Sequence, residues 1–131
     1  MALKCLDEEG SGSTIDAIGA YNYIYKAQSL GTNVVAVNDS WGGDADETED
    51  ALKAVIEMVG KKGALSVIAS GNDGVNVDEY YTSPACIDSD YIISVAASNE
   101  NDELATFSNY GKDNVDIAAP GTNILSSVSY N

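Results

Sequence analysis

Asn72 stands in the turn Ser70-Gly71-Asn72-Asp73-Gly74, directly after the apolar run Leu65 to Ala69. Its amide NH2 can donate to an oxygen on which negative charge develops, and Gly71 lets the backbone approach a ligand closely. A second loop, Ser40-Trp41-Gly42-Gly43, offers a different chemistry. Extended backbone carrying glycines can pair main chain to main chain with an incoming peptide, while Trp41 supplies an apolar wall. Each feature also has a purely structural explanation. Asn tolerates left-handed turn conformations, and a loop Trp can serve as a partly buried packing anchor. The residues alone give a donor beside an edge for peptide, and no reaction.

Composition narrows the chemistry further. Across 131 residues, 21 Asp and Glu face 6 Lys, with no Arg and no His, for a net charge of −15. Nucleic acid and anionic membrane are repelled by such a chain. The side chain most used as general base near neutral pH is absent, so acid–base chemistry needs a carboxylate, a Lys, a Tyr or residues from elsewhere. Without His, neither Cys5 nor Cys86 belongs to a Cys-His pair, and two isolated Cys make no zinc site. Both read as free structural thiols, Cys5 as a small buried hydrophobe. No stretch approaches the ~18 apolar residues of a membrane span, and Met1 opens no signal-peptide pattern.

The elements that position the two loops follow from periodicity. At 44 % hydrophobic content, the chain is expected to bury one core as one domain. Ala2 to Leu6 reads as a short strand. Ser13-Thr14-Ile15-Asp16 resembles a capping box and starts a helix. Ile15, Ile18, Tyr21 and Tyr25, flanked by Ala17 and Ile24, give that helix its apolar face, and Gly31 stops it. Val34, Val35 and Val37 form a second strand, read as buried. A second helix runs from about Asp46 to Gly63 with Leu52, Val55, Ile56 and Val59 inward, its acidic first turns favoured by the helix dipole. Val67 to Ala69 reads as a strand buried on both faces. Tyr91 to Ala96 is a further apolar run, and Ala105 to Gly111 and Asn114 to Gly121 are short extended pieces. Strand starts near Leu3, Val34, Val67 and Ile92 lie roughly thirty residues apart, the size of a βαβ unit. The class is therefore α/β with a mostly parallel sheet. Consecutive parallel strands are usually neighbours, so both glycine loops should open onto one carboxyl edge, where such sheets bind ligands.

In that order and spacing the chain resembles the subtilisin-like serine proteases, or subtilases. The motifs are Leu3-Lys4-Cys5-Leu6-Asp7 with Gly10-Ser11-Gly12, then Val37-Asn38-Asp39-Ser40-Trp41-Gly42-Gly43 and Ala69-Ser70-Gly71-Asn72-Asp73-Gly74. Ile92-Ile93-Ser94-Val95-Ala96-Ala97, Ala105-Thr106-Phe107-Ser108-Asn109-Tyr110-Gly111 and Val115-Asp116-Ile117-Ala118-Ala119-Pro120-Gly121 follow. The resemblance implies a three-layer fold with helices on both faces of the sheet, here incomplete. It implies that Asn72 is the oxyanion-hole asparagine, that Ser40, Trp41 and Gly42 pair with substrate, and that Ala69, Ser70 and Gly71 wall the primary specificity pocket. Trp41 departs from the family's commoner Leu. The segment Tyr81-Thr82-Ser83-Pro84-Ala85 resembles a family turn whose Pro is often cis and directly follows Tyr, whereas Pro84 follows Ser83.

The family triad runs Asp, His, Ser in chain order. The chain holds no His, no Asp-Thr-Gly or Asp-Ser-Gly start and no Gly-Thr-Ser-Met-Ala segment. Ser40 and Ser70 have no adjacent base to activate them. Residues 1–131 thus read as the central portion of a subtilase catalytic domain, lacking the segments with catalytic Asp, His and Ser. The expected function is that of a fragment of a serine endopeptidase, inactive alone. A non-catalytic, protease-derived peptide-binding module is the second reading. A nucleotide-binding module is a third, although Gly10-Ser11-Gly12-Ser13 lacks the third glycine of the dinucleotide fingerprint and no Gly-Lys-Ser or Gly-Lys-Thr occurs.

The expected partners are a peptide or protein substrate and the remainder of the catalytic domain. The resemblance places the absent Asp-bearing strand between the first strand and Val34 to Asn38. The free edges should then be met by strand exchange, with the first strand moving into the vacant slot, or by a homodimer. No cofactor is required. The resemblance allows calcium, with Asp116 near a known weak cation position, but the acidic spacings at Asp44 to Asp50 and Asn99 to Glu103 fit no closed loop and read as solvated surface. It also implies an extracellular or cell-surface location.

Overall fold

The computed structural model describes residues 1–45 and 48–127. Helix α1 (Thr14–Ser29) opens on Ser13, whose side chain accepts from the Asp16 amide while the Asp16 carboxylate reaches back to the Ser13 N–H. The expected capping box is therefore present. At its other end Gly31 donates to Gln28 and Thr32 to Ala27, with φ +96° at Gly31, a conformation that favours glycine. Helix α2 (Glu49–Gly60) buries Leu52, Val55, Ile56 and Val59, as the spacing requires. It ends at Gly60 and not Gly63. Its expected start at Asp46 lies outside the described residues.

Four strands, β1 (Ala36–Asp39), β2 (Leu65–Ala69), β3 (Ile92–Ser98) and β4 (Ile117–Pro120), form one parallel sheet in the order β1-β2-β3-β4. The fold is α/β with a parallel sheet, as expected. Helices α1 and α2 pack against each other and share one core, in which Ala17, Tyr21 and Ile24 meet Leu52, Val55, Ile56 and Val59. Strand registers align Ser66, Ile68, Ser94 and Ala96 on the buried face. On the opposite face, Leu65, Val67, Ile93, Val95 and Ile117 line up in partly or largely exposed positions, with Leu65 40 % and Ile117 53 % accessible. Among the described residues no helix covers that face.

Several expectations change. β2 is buried on one face only, because the layer that would cover Val67 is not among the described elements. Val34 to Asn38 is not a buried strand: β1 is the sheet edge, starts at Ala36, and leaves Val35 65 % exposed. Ala2 to Leu6 forms no strand, since among the described residues no backbone pairs with it. A groove of about 670 Å³ lies between this segment and residues 32–39. Cys5 is half-buried, and Cys86 is buried; both are free thiols.

The inward face of α1 is also rotated, to Ala17, Tyr21 and Ile24, leaving Ile15 exposed. Polar pairing helps set this rotation. The Tyr21 hydroxyl donates to Asp39 Oδ2 at the end of β1 and lies 2.7 Å from Ser66 Oγ on β2. A buried phenol needs such partners.

Candidate functional site

Strands β1 and β2 are parallel neighbours with Asp39 level with Ile68, so the segments that follow them leave the sheet side by side. Ser40, Trp41, Gly42, Ala69, Ser70, Gly71 and Asn72 all line one cleft of about 290 Å³, together with Thr82, Ser83 and Ala85. Every residue singled out from the sequence for substrate or oxyanion contact is thus brought together, and Asp116 lies elsewhere. Asn72, Ser40 and Ala69 to Gly71 also border a second cleft of about 290 Å³, which runs over Val95 to Ala97 and Ala119 to Gly121.

The Asn72 side chain is exposed and takes no hydrogen-bond partner among the described residues. The turn does not explain the choice of Asn, because its left-handed residues are Gly71, at φ +111°, and Gly74, at φ +66°. Gly71 is fixed for a second reason: a Cβ there would stand 2.3 Å from Asn109 Nδ2.

Asn109 is the residue that sequence reasoning missed. Fully buried, it donates from Nδ2 to the Ser70 carbonyl at 3.0 Å and accepts at Oδ1 from the Asp73 and Val75 amides at 2.9 and 3.2 Å. Its own backbone N–H donates to the Gly71 carbonyl at 3.0 Å. One carboxamide therefore holds both sides of the turn that carries Asn72. The only trace in the sequence is its place in the Phe107-Ser108-Asn109-Tyr110-Gly111 motif.

The other loop is fixed from the far side. Gly43 and Ser83 exchange both backbone hydrogen bonds at 2.9 Å, and Ser83-Pro84 is cis. The backbone of Gly43 is therefore already paired within the chain. Trp41 is half-buried: it packs against the core and its Nε1 donates to Asp39 Oδ1 at 2.9 Å, so it anchors the loop and still lines the cleft.

Neither serine is set up as a nucleophile. Ser70 is buried and its hydroxyl donates to the Asn109 carbonyl at 3.1 Å, while Ser40 Oγ accepts from Asn38 Nδ2 at 3.1 Å. Burial pushes the Asp39 carboxyl above the usual carboxylate range, against the Tyr21 and Trp41 hydrogen bonds that pull it down.

Calcium takes six to eight oxygen ligands. Asp116 Oδ2 accepts from the Ser94 amide at 2.8 Å, and among the described residues no cluster of three or more His, Cys, Asp or Glu is placed for a metal.

The sequence profile of the subtilase family (peptidase S8) matches residues 1–131. Subtilisin-like protease 1 of Arthroderma otae is 39 % identical over 96 % of this chain and 25 % of its own length. Subtilisin-like protease 7 of Trichophyton equinum is 43 % identical over 96 % of this chain and 30 % of its own. A crystal structure of a cold adapted subtilisin-like serine proteinase superposes with a TM-score of 0.76 at 27 % identity, covering 92 % of this chain and 40 % of that one. The chain thus spans about a quarter to a third of the length of these two curated relatives. A family profile that matches the whole chain, with relatives about 40 % identical over nearly all of it, places this chain in the subtilase family of serine peptidases, as part of the catalytic domain.

Proposed function

We propose that this chain supplies the oxyanion donor and the substrate-binding walls of a serine endopeptidase, with nucleophile and base on other segments of the complete protein. The observation that carries this reading is Asn72: exposed, without a hydrogen-bond partner among the described residues, not required by its turn, and at the lip shared by two clefts. A serine attacking a peptide carbonyl turns that oxygen into an oxyanion, and a carboxamide N–H fixed beforehand at its position lowers the barrier. Ser40, Trp41 and Gly42 bind the peptide main chain, while Ala69, Ser70 and Gly71 wall the pocket for the side chain at the cleaved bond. The chemistry requires no cofactor.

On this reading the isolated chain is inactive, because it holds neither a His nor an activated serine. The remainder of the catalytic domain is its natural partner, and peptides or proteins are the substrates. In isolation, the open edge of β1 recruits a second copy, and light scattering that returns only monomer would reject this. The complete protein acts outside the cell or at its surface by family resemblance, which activity confined to the cell interior would exclude. Among the described residues no helix is long and apolar enough to cross a membrane.

The test of the central claim is Asn72→Leu in the complete protein. Turnover should fall by about 10²–10³-fold, a magnitude carried over from a member of this same family, with KM little changed. Equal effects on both would remove Asn72 from the reaction. A complete protein without a nucleophilic serine segment would instead be a peptide-binding module.

A further inference from the structure

The buried carboxylate of Asp39 has no part in the chemistry above. It is 6 % exposed, and among the described residues no lysine pairs with it. An ionised group in such a place is costly unless its oxygens are satisfied. Here each oxygen has one neutral donor: the Tyr21 hydroxyl at Oδ2 and the Trp41 indole N–H at Oδ1. Because the phenol proton goes to Asp39, the Ser66 hydroxyl 2.7 Å away is left to donate to the Tyr21 oxygen. The chain of contacts runs from β2 through α1 to the end of β1 and stops at the ring that walls the substrate cleft.

Indole has a single polar atom, the Nε1–H donor. With it committed to Asp39, Trp41 presents only carbon to the space around it. Besides the cleft beside Asn72, that space includes a second one of about 620 Å³ between Trp41 and the loop Gly10 to Thr14. We infer that Asp39, held by Tyr21, is a specificity-determining positioning residue: it fixes the Trp41 ring and consumes its only donor, so that the subsite Trp41 lines accepts apolar side chains and discriminates against amides. The inference rests on the peptidase reading for its consequence, but not for its geometry.

Trp41 is the single tryptophan of the chain, so its indole N–H is one resolvable signal in the wild-type protein. Its exchange with solvent should be slower than that of free indole by about tenfold or more, as for a partly buried hydrogen bond. Asp39→Asn keeps one acceptor oxygen and should preserve the near-ultraviolet circular dichroism band of Trp41. Asp39→Ala should lose that band. Ser66→Ala, which touches the phenol but not the indole, should lower stability and leave the band in place.

In the complete protein, paired peptides with Leu or Gln facing Trp41 report selectivity. The kcat/KM ratio should favour Leu, and Asp39→Ala should reduce the ratio about tenfold, with Asp39→Asn restoring most of it. A merely structural role would lower both peptides equally. An unchanged ratio in Asp39→Ala, or an indole N–H that exchanges as fast as free indole, overturns the inference. If the complete protein cleaves neither peptide, the peptidase reading falls, and the exchange rate alone decides whether Asp39 holds the ring.

Discussion

Asn109 donates its side-chain N–H to the carbonyl of Ser70 across 39 positions of sequence, at 3.0 Å, and through that bond governs where Asn72 stands. Replacing it with Ala leaves the Ser70 carbonyl and the Asp73 and Val75 amides without their partner. Asn109→Ala should cost about 3 kcal/mol in urea unfolding, in keeping with buried groups left unsatisfied. The Asp73 and Val75 amides should exchange faster with solvent. In the complete protein kcat should fall more than KM rises, because Ser70 and Gly71 keep their bonds to the backbone of residue 109 while the Asp73 and Val75 side of the turn, beyond Asn72, loses its hold.

Gly71→Ala tests the same contact from the other side. The new Cβ would meet Asn109 Nδ2 at 2.3 Å, in a conformation of φ +111°. A loss of about 1–3 kcal/mol is expected from the backbone alone. Combined with Asn109→Ala, the loss should be less than the sum, since the atom it strikes is gone. Strict additivity in a double-mutant cycle would show that the two do not communicate.

Much of this arrangement was legible in the sequence, and the failures share a cause. Ser13 with Asp16, the stop at Gly31 and the inward set Leu52, Val55, Ile56 and Val59 are local signals, and the structure keeps them. The two loops were paired by the rule that consecutive parallel strands are neighbours. What was not legible depends on distant partners. Val35 and Val67 carry the composition of buried strand positions, but burial needs a neighbour, and none of the described elements supplies it. The face of α1 was misplaced by one flank because Tyr21 turns toward Asp39 and Ser66, 18 and 45 residues away. Asn109 is not legible because everything its side chain holds lies more than 30 positions earlier.

Ile56→Ala probes the core the two helices share. Ile56, on α2, is fully buried in the cluster that also holds Ala17, Tyr21 and Ile24 of α1. The loss should be about 2–5 kcal/mol, as for comparable core truncations. Ile15→Ala, on the exposed flank of α1, should stay within about 0.5 kcal/mol, as surface substitutions do. Urea midpoints of the two variants decide this directly.

Two carboxylates should give opposite pH signatures. Burial raises the Asp39 carboxyl in the folded chain, so its contribution to stability is fully present below the unfolded pKa and lost as pH rises through the folded one. At Asp78 slight desolvation is outweighed by the Lys112, Asp113 and Asn114 backbone N–H groups, which hold the carboxyl below its usual range. Its contribution is present above the unfolded pKa and lost as pH falls through the folded one. As pH is lowered through the carboxylate range, the stability advantage of wild type over Asp39→Asn should grow, and that over Asp78→Asn should shrink. Denaturation midpoints moving the same way for both pairs would contradict the assignment.

The bare side of the sheet sets how this molecule behaves in bulk solution. Leu65, Val67, Ile93, Val95 and Ile117 offer neighbouring molecules an oily contact, and the fifteen excess negative charges oppose stacking through this face beyond any pairing at the β1 edge. Added salt shortens the reach of that repulsion to about 10 Å at 0.1 M. Sulfate in addition strengthens apolar association. The chain is therefore a colloid held in suspension by its own charge, most soluble in dilute buffer near neutrality and precipitated first by ionic strength.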